Sequence, residues 1–150
     1  MGRVVWVGLS AGLLVGCVAS AWAGGVEAYC PELKWVLLAP PGGSAVQVID
    51  VRHGVTPLAT LRSRPRGPVL AVHVQAASRR VWVLAADGLD AHDGFSGRLL
   101  GRWPAPPGVR LDRLAVDDGG RLTVWSGAQP YVAPAGAALL VPAGAQVSWR

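Results

Sequence analysis

Three histidines, nine acidic residues and the single cysteine beyond residue 17 are the side chains of this 150-residue chain able to hold a metal or move a proton. They gather once, in Asp87-Gly-Leu-Asp-Ala-His-Asp-Gly94, where aspartates at i, i+3 and i+6 surround His92. Calcium loops deliver their acids from alternate positions of one tight turn, so this spacing is wrong for that chemistry. Read as a strand, the segment puts Asp90 and His92 on one face and Asp93 on the other. Asp87-Gly88 and Asp93-Gly94 are then turn formers. His53 precedes Gly54 in a turn, and His73 alternates with Val72 and Val74, so it faces away from both valines. A nucleophile elbow needs Gly-x-Ser-x-Gly, which is absent, and Phe95-Ser96-Gly97 reads as a turn. Glu27 and Glu32, the only glutamates, fall in an irregular segment that gives no acid/base pair. There is no phosphate-cradling glycine loop and no Cys-x-x-Cys-His for haem. No catalytic, cofactor-binding or metal-ligating residue is expected, no cofactor is implied, and the chain reads as a non-enzyme.

The strongest signal is at the amino end. After Arg3 no charge appears until Glu27, and Val4 to Ala23 is uncharged, with Leu9, Leu13, Leu14, Val15 and Val18 at its centre. A cation, an apolar segment and then small residues is the order of a secretory signal. Ala21-Trp22-Ala23 supplies the small side chains that signal peptidase requires, so cleavage is expected between Ala23 and Gly24. Two alternatives stand beside it. Leu14-Val15-Gly16-Cys17 is similar to a lipobox, which would make Cys17 a lipidation site. The same stretch is also just long enough for an uncleaved anchor. All three readings place the rest of the chain outside the cytoplasm, periplasmic or secreted, and touching a membrane only through an uncleaved or lipidated N-terminus.

Residues 1–23 are thus read as the signal, 24–33 as an N-terminal segment and 34–150 as the folded domain, enough for one modest core. The formal charge is +5, or +4 without Arg3, and nearly all of the positive charge is arginine. Arg62, Arg64 and Arg66 cluster around Pro65, and Arg79-Arg80 form a pair. Without interleaved aromatics these read as solvated turns, and no nucleic acid is expected. Cys30 has no partner for a disulfide within the mature chain; it is either a partly buried thiol or a link to another chain.

Twelve prolines and twenty glycines interrupt most windows of helix length. Short β-branched and leucine-rich runs take their place: Trp35–Leu38, Val46–Val51, Leu58–Leu61, Val69–Val74, Val81–Leu84, Leu111–Val116 and Leu122–Trp125. The order strand, Pro/Gly turn, strand, turn, strand recurs from Trp35, from Val81 and, more weakly, from Leu122, and a leading strand precedes the second and third units. Four strands in about 40 to 45 residues is the period of a propeller blade. One such sheet cannot bury both faces, so units must stack. The expectation is an all-β fold of about three four-stranded, β-propeller-like blades, open or completed by oligomerisation; a β-sandwich is the alternative.

Trp35-Val-Leu-Leu-Ala-Pro-Pro-Gly-Gly-Ser-Ala-Val-Gln-Val-Ile-Asp-Val-Arg-His-Gly54 resembles a repeat of the YVTN-type β-propellers, and Val46 to Asp50 carries the closest match. Asp93-Gly-Phe-Ser-Gly-Arg-Leu-Leu100 is similar to a strand-connecting turn of these and of quinoprotein-type propellers. The resemblance spans roughly residues 34 to 127, with prolines where turn asparagines are usual. Together with the lack of catalytic residues, three open-edged units lead to the expectation of an exported, non-catalytic module of the bacterial cell envelope that presents strand edges and loops to a protein partner or another copy of itself. An accessory subunit of a periplasmic quinoprotein-type dehydrogenase is the alternative, and an envelope lipoprotein the third.

Overall fold

The computed structural model describes residues 18–22, 25–62, 67–117 and 119–144. Cys17, the Ala23–Gly24 junction, Arg64 and Arg66 lie outside the described residues. The strands are Val18–Trp22 (β1), Gly25–Cys30 (β2), Trp35–Ala39 (β3), Ala45–Asp50 (β4), Thr56–Arg62 (β5), Ala71–Gln75 (β6) and Arg80–Ala85 (β7). They continue with Gly88–Asp93 (β8), Leu99–Pro104 (β9), Arg113–Val116 (β10), Leu122–Ser126 (β11), Gln129–Val132 (β12) and Val141–Pro142 (β13). A single 3-10 turn at Ala76–Ser78 is the only helical piece among the described residues.

The strands form three antiparallel meanders without crossovers: β1 to β5, β6 to β9 and β10 to β13. The fold is all-β and blade-like, and no sheet closes into a barrel. Two features differ from the sequence reading. The first unit has its own leading strand, β2, in the segment that looked irregular, so the units begin at Gly25, Ala71 and Arg113. Glycine at 25 and the cysteine and glutamates weaken the local strand signal, but pairing with β3 supplies what propensity does not. The other feature is β1, which lies within the stretch read as a signal and pairs with β2, Val18 opposite Tyr29.

The first two units repeat in detail. In each, the register of the last strand pair slips at the same place, between Val48 and Ile49 in β4 and between Ala91 and His92 in β8. In each, an aspartate ends that strand and caps the next turn. Asp50 accepts the Arg52 N–H at 2.9 Å, and Asp93 accepts the Phe95 N–H at 3.0 Å and the Ser96 N–H at 2.7 Å. Superposing these positions makes Trp35 the counterpart of Arg80, Leu37 of Trp82, and the row Tyr29–Val36–Ile49 of the row Val74–Val81–His92.

Stacking follows from the period-2 alternation of each strand. Val26, Ala28, Cys30, Trp35, Leu37, Val46, Val48 and Leu61 of the first sheet meet Val72, Val74, Val81 and Val83 of the second. The opposite face of the second sheet brings Leu84 and Leu89 against Leu111, Val124, Tyr131 and Leu140. The second sheet is therefore covered on both sides, and β8 shows it, with Leu89, Asp90, Ala91 and His92 all buried. The sheets approach most closely along their leading strands, β6 lying against β2 on one side and β10 on the other.

Candidate functional site

His92 and its neighbours lie inside the fold. Asp90 and His92 share the face of the second sheet that meets the first, as alternation requires, and Asp93 points away into its turn. Asp90 is 6% exposed, and Arg102 on the neighbouring strand grips it with two bonds of 2.8 Å. Among the described residues no three His, Cys, Asp or Glu side chains converge as a metal site would need. Cys30 is fully buried between the first two sheets and its Sγ donates to Glu32 Oε2 at 3.4 Å, so in this fold the thiol is not presented to another chain. The aspartate of Val46–Asp50 serves the turn: the Arg52 guanidinium forks onto it at 2.9 and 2.5 Å, and that hydrogen bonding holds the carboxyl below its ordinary value.

His92 is 1% exposed, and neither ring nitrogen makes a hydrogen bond of ordinary geometry, though the Gly97 backbone and Asp90 lie close enough to favour the charged ring weakly. Burial outweighs them and pushes the imidazole below the usual histidine value. Burial lowers His73 in the same direction. Both rings titrate near 6.5 in the unfolded chain. The folded state resists a proton that the unfolded state accepts, so this contribution to stability is whole above about pH 6.5 and is lost as the pH falls below it. Asp50 and Asp93 are held below their ordinary 3.8 by hydrogen bonds from Arg52 and Ser96, so their contribution declines only below that value. The urea midpoint is therefore expected to fall between pH 7 and pH 5, and His92→Phe to flatten part of the slope. A wild-type midpoint that stays level over this window would contradict the assignment.

A cleft of about 560 Å³ opens between the second and third sheets. Its sheet-two wall carries His73, Gln75, Arg80 and Trp82, and Arg121 with Pro134 stands on the other side. Trp82 is held at 5.6 Å from Trp103, whose Nε1–H donates to the Pro134 carbonyl at 3.3 Å. The Arg80 guanidinium lies over the Trp82 ring at 5.6 Å, and among the described residues its buried Nε has no hydrogen-bond partner. Arg121 follows Gly120, whose φ of 77° lets the chain turn sharply at Asp117–Arg121. In the sequence Arg79-Arg80 reads as a solvated turn. Arg79 is exposed, with φ 54° at the end of the 3-10 turn, while Arg80 begins β7 and points into the cleft. Only the third unit's placement reveals this.

The two end faces of the stack are the other unusual surfaces. On the first sheet, Tyr29, Val36, Ile49 and Pro57 line up across four strands on the side away from the second sheet. Tyr29 is 40% exposed. On the third sheet, Arg113, Trp125 and Pro130 form the outward row, the guanidinium 4.7 Å above the indole. Compared with family models, curated proteins and solved structures, the chain matches none.

Proposed function

We propose that this chain is a non-catalytic, β-propeller-like interaction module of the bacterial cell envelope, and that it works by stacking its end sheets on a second copy of itself. One observation carries the reading. The row Tyr29–Val36–Ile49 on the outer face of the first sheet is the counterpart of Val74–Val81–His92, which in the second sheet is buried under a neighbour. The same sheet design thus has a covered face inside the stack and, at its end, one on which Tyr29 is exposed and Val36 and Ile49 are only half-buried. An apolar row of this kind gains by burial at roughly 25 cal/mol per Å². The outward row of the third sheet, with Trp125 at its centre, is the surface that continues the stacking pattern, and aromatic anchors of this kind dominate interface energies. Two chains would bring together six sheets, within the range of closed propellers. Export by the amino-terminal segment and kinship with the YVTN-type repeats belong to this proposal as the sequence suggested them.

Light scattering on the purified chain at about 50 μM tests it, a concentration at which a micromolar association is nearly complete. The expected mass is that of two chains, and Ile49→Lys, which places a charge on the outer row, is expected to give one chain with unchanged circular dichroism. A wild-type mass of one chain at that concentration sinks the self-stacking reading.

A further inference from the structure

We propose that the cleft between the second and third sheets binds a small organic anion, a carboxylate or phosphate ester carrying a ring or a short apolar body. Arg80 and Arg121 would hold the anionic group, and Trp82 the body. The stacking pattern supplies the first argument. Between the first and second sheets the equivalent space is filled by Trp35, which is 3% exposed. In the second sheet that position is Arg80, a longer, charged residue that does not fill the space, and Leu37 becomes Trp82. A site that the fold closes with an indole in one layer is left open, aromatic-floored and cationic in the next.

The charge balance supplies the second. Two arginines and no carboxylate line the cleft among the described residues. The nearby acids among the described residues are engaged elsewhere: Asp117 accepts the Gly119 and Arg121 backbone N–H groups at 2.9 and 2.8 Å. Asp93, opposite Arg80 across the strand pair, caps its own turn. Among the described residues the buried Arg80 Nε therefore has no acceptor, and a charged donor left without one is costly enough to favour an incoming anion. His73, kept neutral by burial, offers a hydrogen bond without adding positive charge. The volume, about 560 Å³, is that of a small-molecule site rather than a peptide groove.

The test is a titration of the whole chain with phenyl phosphate, inorganic phosphate and benzyl alcohol, read by the indole N–H resonances of Trp82 and Trp103. Phenyl phosphate is expected to shift both saturably, with inorganic phosphate and benzyl alcohol each weaker by about tenfold or more, since each lacks one half of the recognition. Arg121→Gln, on an exposed turn, is expected to weaken phenyl phosphate by about tenfold with an unchanged melting temperature. Arg80→Gln is expected to do so at least as strongly. No saturable shift by about 10 mM overturns the proposal, as does binding that both arginine variants leave intact. Equal affinity for inorganic phosphate and phenyl phosphate overturns the assignment of the ring to Trp82.

Discussion

Trp35→Ala is expected to lower the unfolding free energy by about 4 kcal/mol, within the range for deleting a large buried aromatic, and the melting temperature by about 10 °C or more. The reason is the fit at this position. The indole is 3% exposed between the first two sheets, and it reaches Gly94 so closely that a Cβ there would stand 2.6 Å from Trp35 Cζ3 and 2.9 Å from Val81 Cγ2. Glycine at 94 and tryptophan at 35 are thus one device, a ring seated on a bare backbone. Gly94→Ala should disturb the same layer from the other side, at about 2 kcal/mol, because the added methyl has backbone on one side and a packed ring on the other. Trp125→Ala provides the contrast. That indole lies half-buried on the outward face of the third sheet, and in the isolated chain its loss should cost well under half as much. Equilibrium urea unfolding of the three variants checks the order; similar losses at Trp35 and Trp125 would contradict the stacking described.

Arg102→Ala is expected to cost about 3 kcal/mol. The figure lies at the low end of the range for removing one partner of a desolvated pair, because the guanidinium keeps 21% of its exposure while the Asp90 side chain keeps 9%. The loss comes mainly from the Asp90 carboxyl, left between two sheets with both bonds gone. Replacing both partners by apolar residues of similar size, Asp90→Leu with Arg102→Met, should recover most of the loss, since the desolvation penalty disappears with the charges. A double variant as unstable as Arg102→Ala alone would show that the pair's geometry, rather than an orphaned carboxylate, is what the layer needs.

The elements that the sequence made legible are those in which β-branched runs are bounded by turn residues. Val46–Val51 leads into the His53-Gly54 turn and Val81–Leu84 into Asp87-Gly88, and they are β4 and β7 to within a residue at each end. The shared face of Asp90 and His92 and the opposed face of His73 follow from alternation alone. What was not legible depended on partners distant in the chain. Gly25–Cys30 has weak strand propensity and becomes β2 because β3 pairs with it. The cleft was invisible because Arg80 looks like half of a surface pair. Its burial is decided by β12 and the turn before β11, some 40 residues later. Nor did the sequence disclose that Asp50 and Asp93 are the same residue of a repeat, since their flanking residues share little; the common register slip shows it.

The absence of crossovers among the described strands has a consequence for the order of events during synthesis. Every strand pairs with its immediate neighbour in the chain, so each sheet can assemble by closing short loops as it is made, without waiting for distant sequence. The layers cannot. When residue 62 has been added the first sheet is complete, yet Trp35 and Leu37 have nothing to lie on until β6 and β7 supply Val72, Val74, Val81 and Val83, which takes the chain to residue 85. At roughly ten residues per second that gap lasts about 2 s, far longer than a hairpin needs to form. For those seconds the nascent chain carries a finished, sticky sheet, and this is the interval in which a chaperone or another nascent copy would find it.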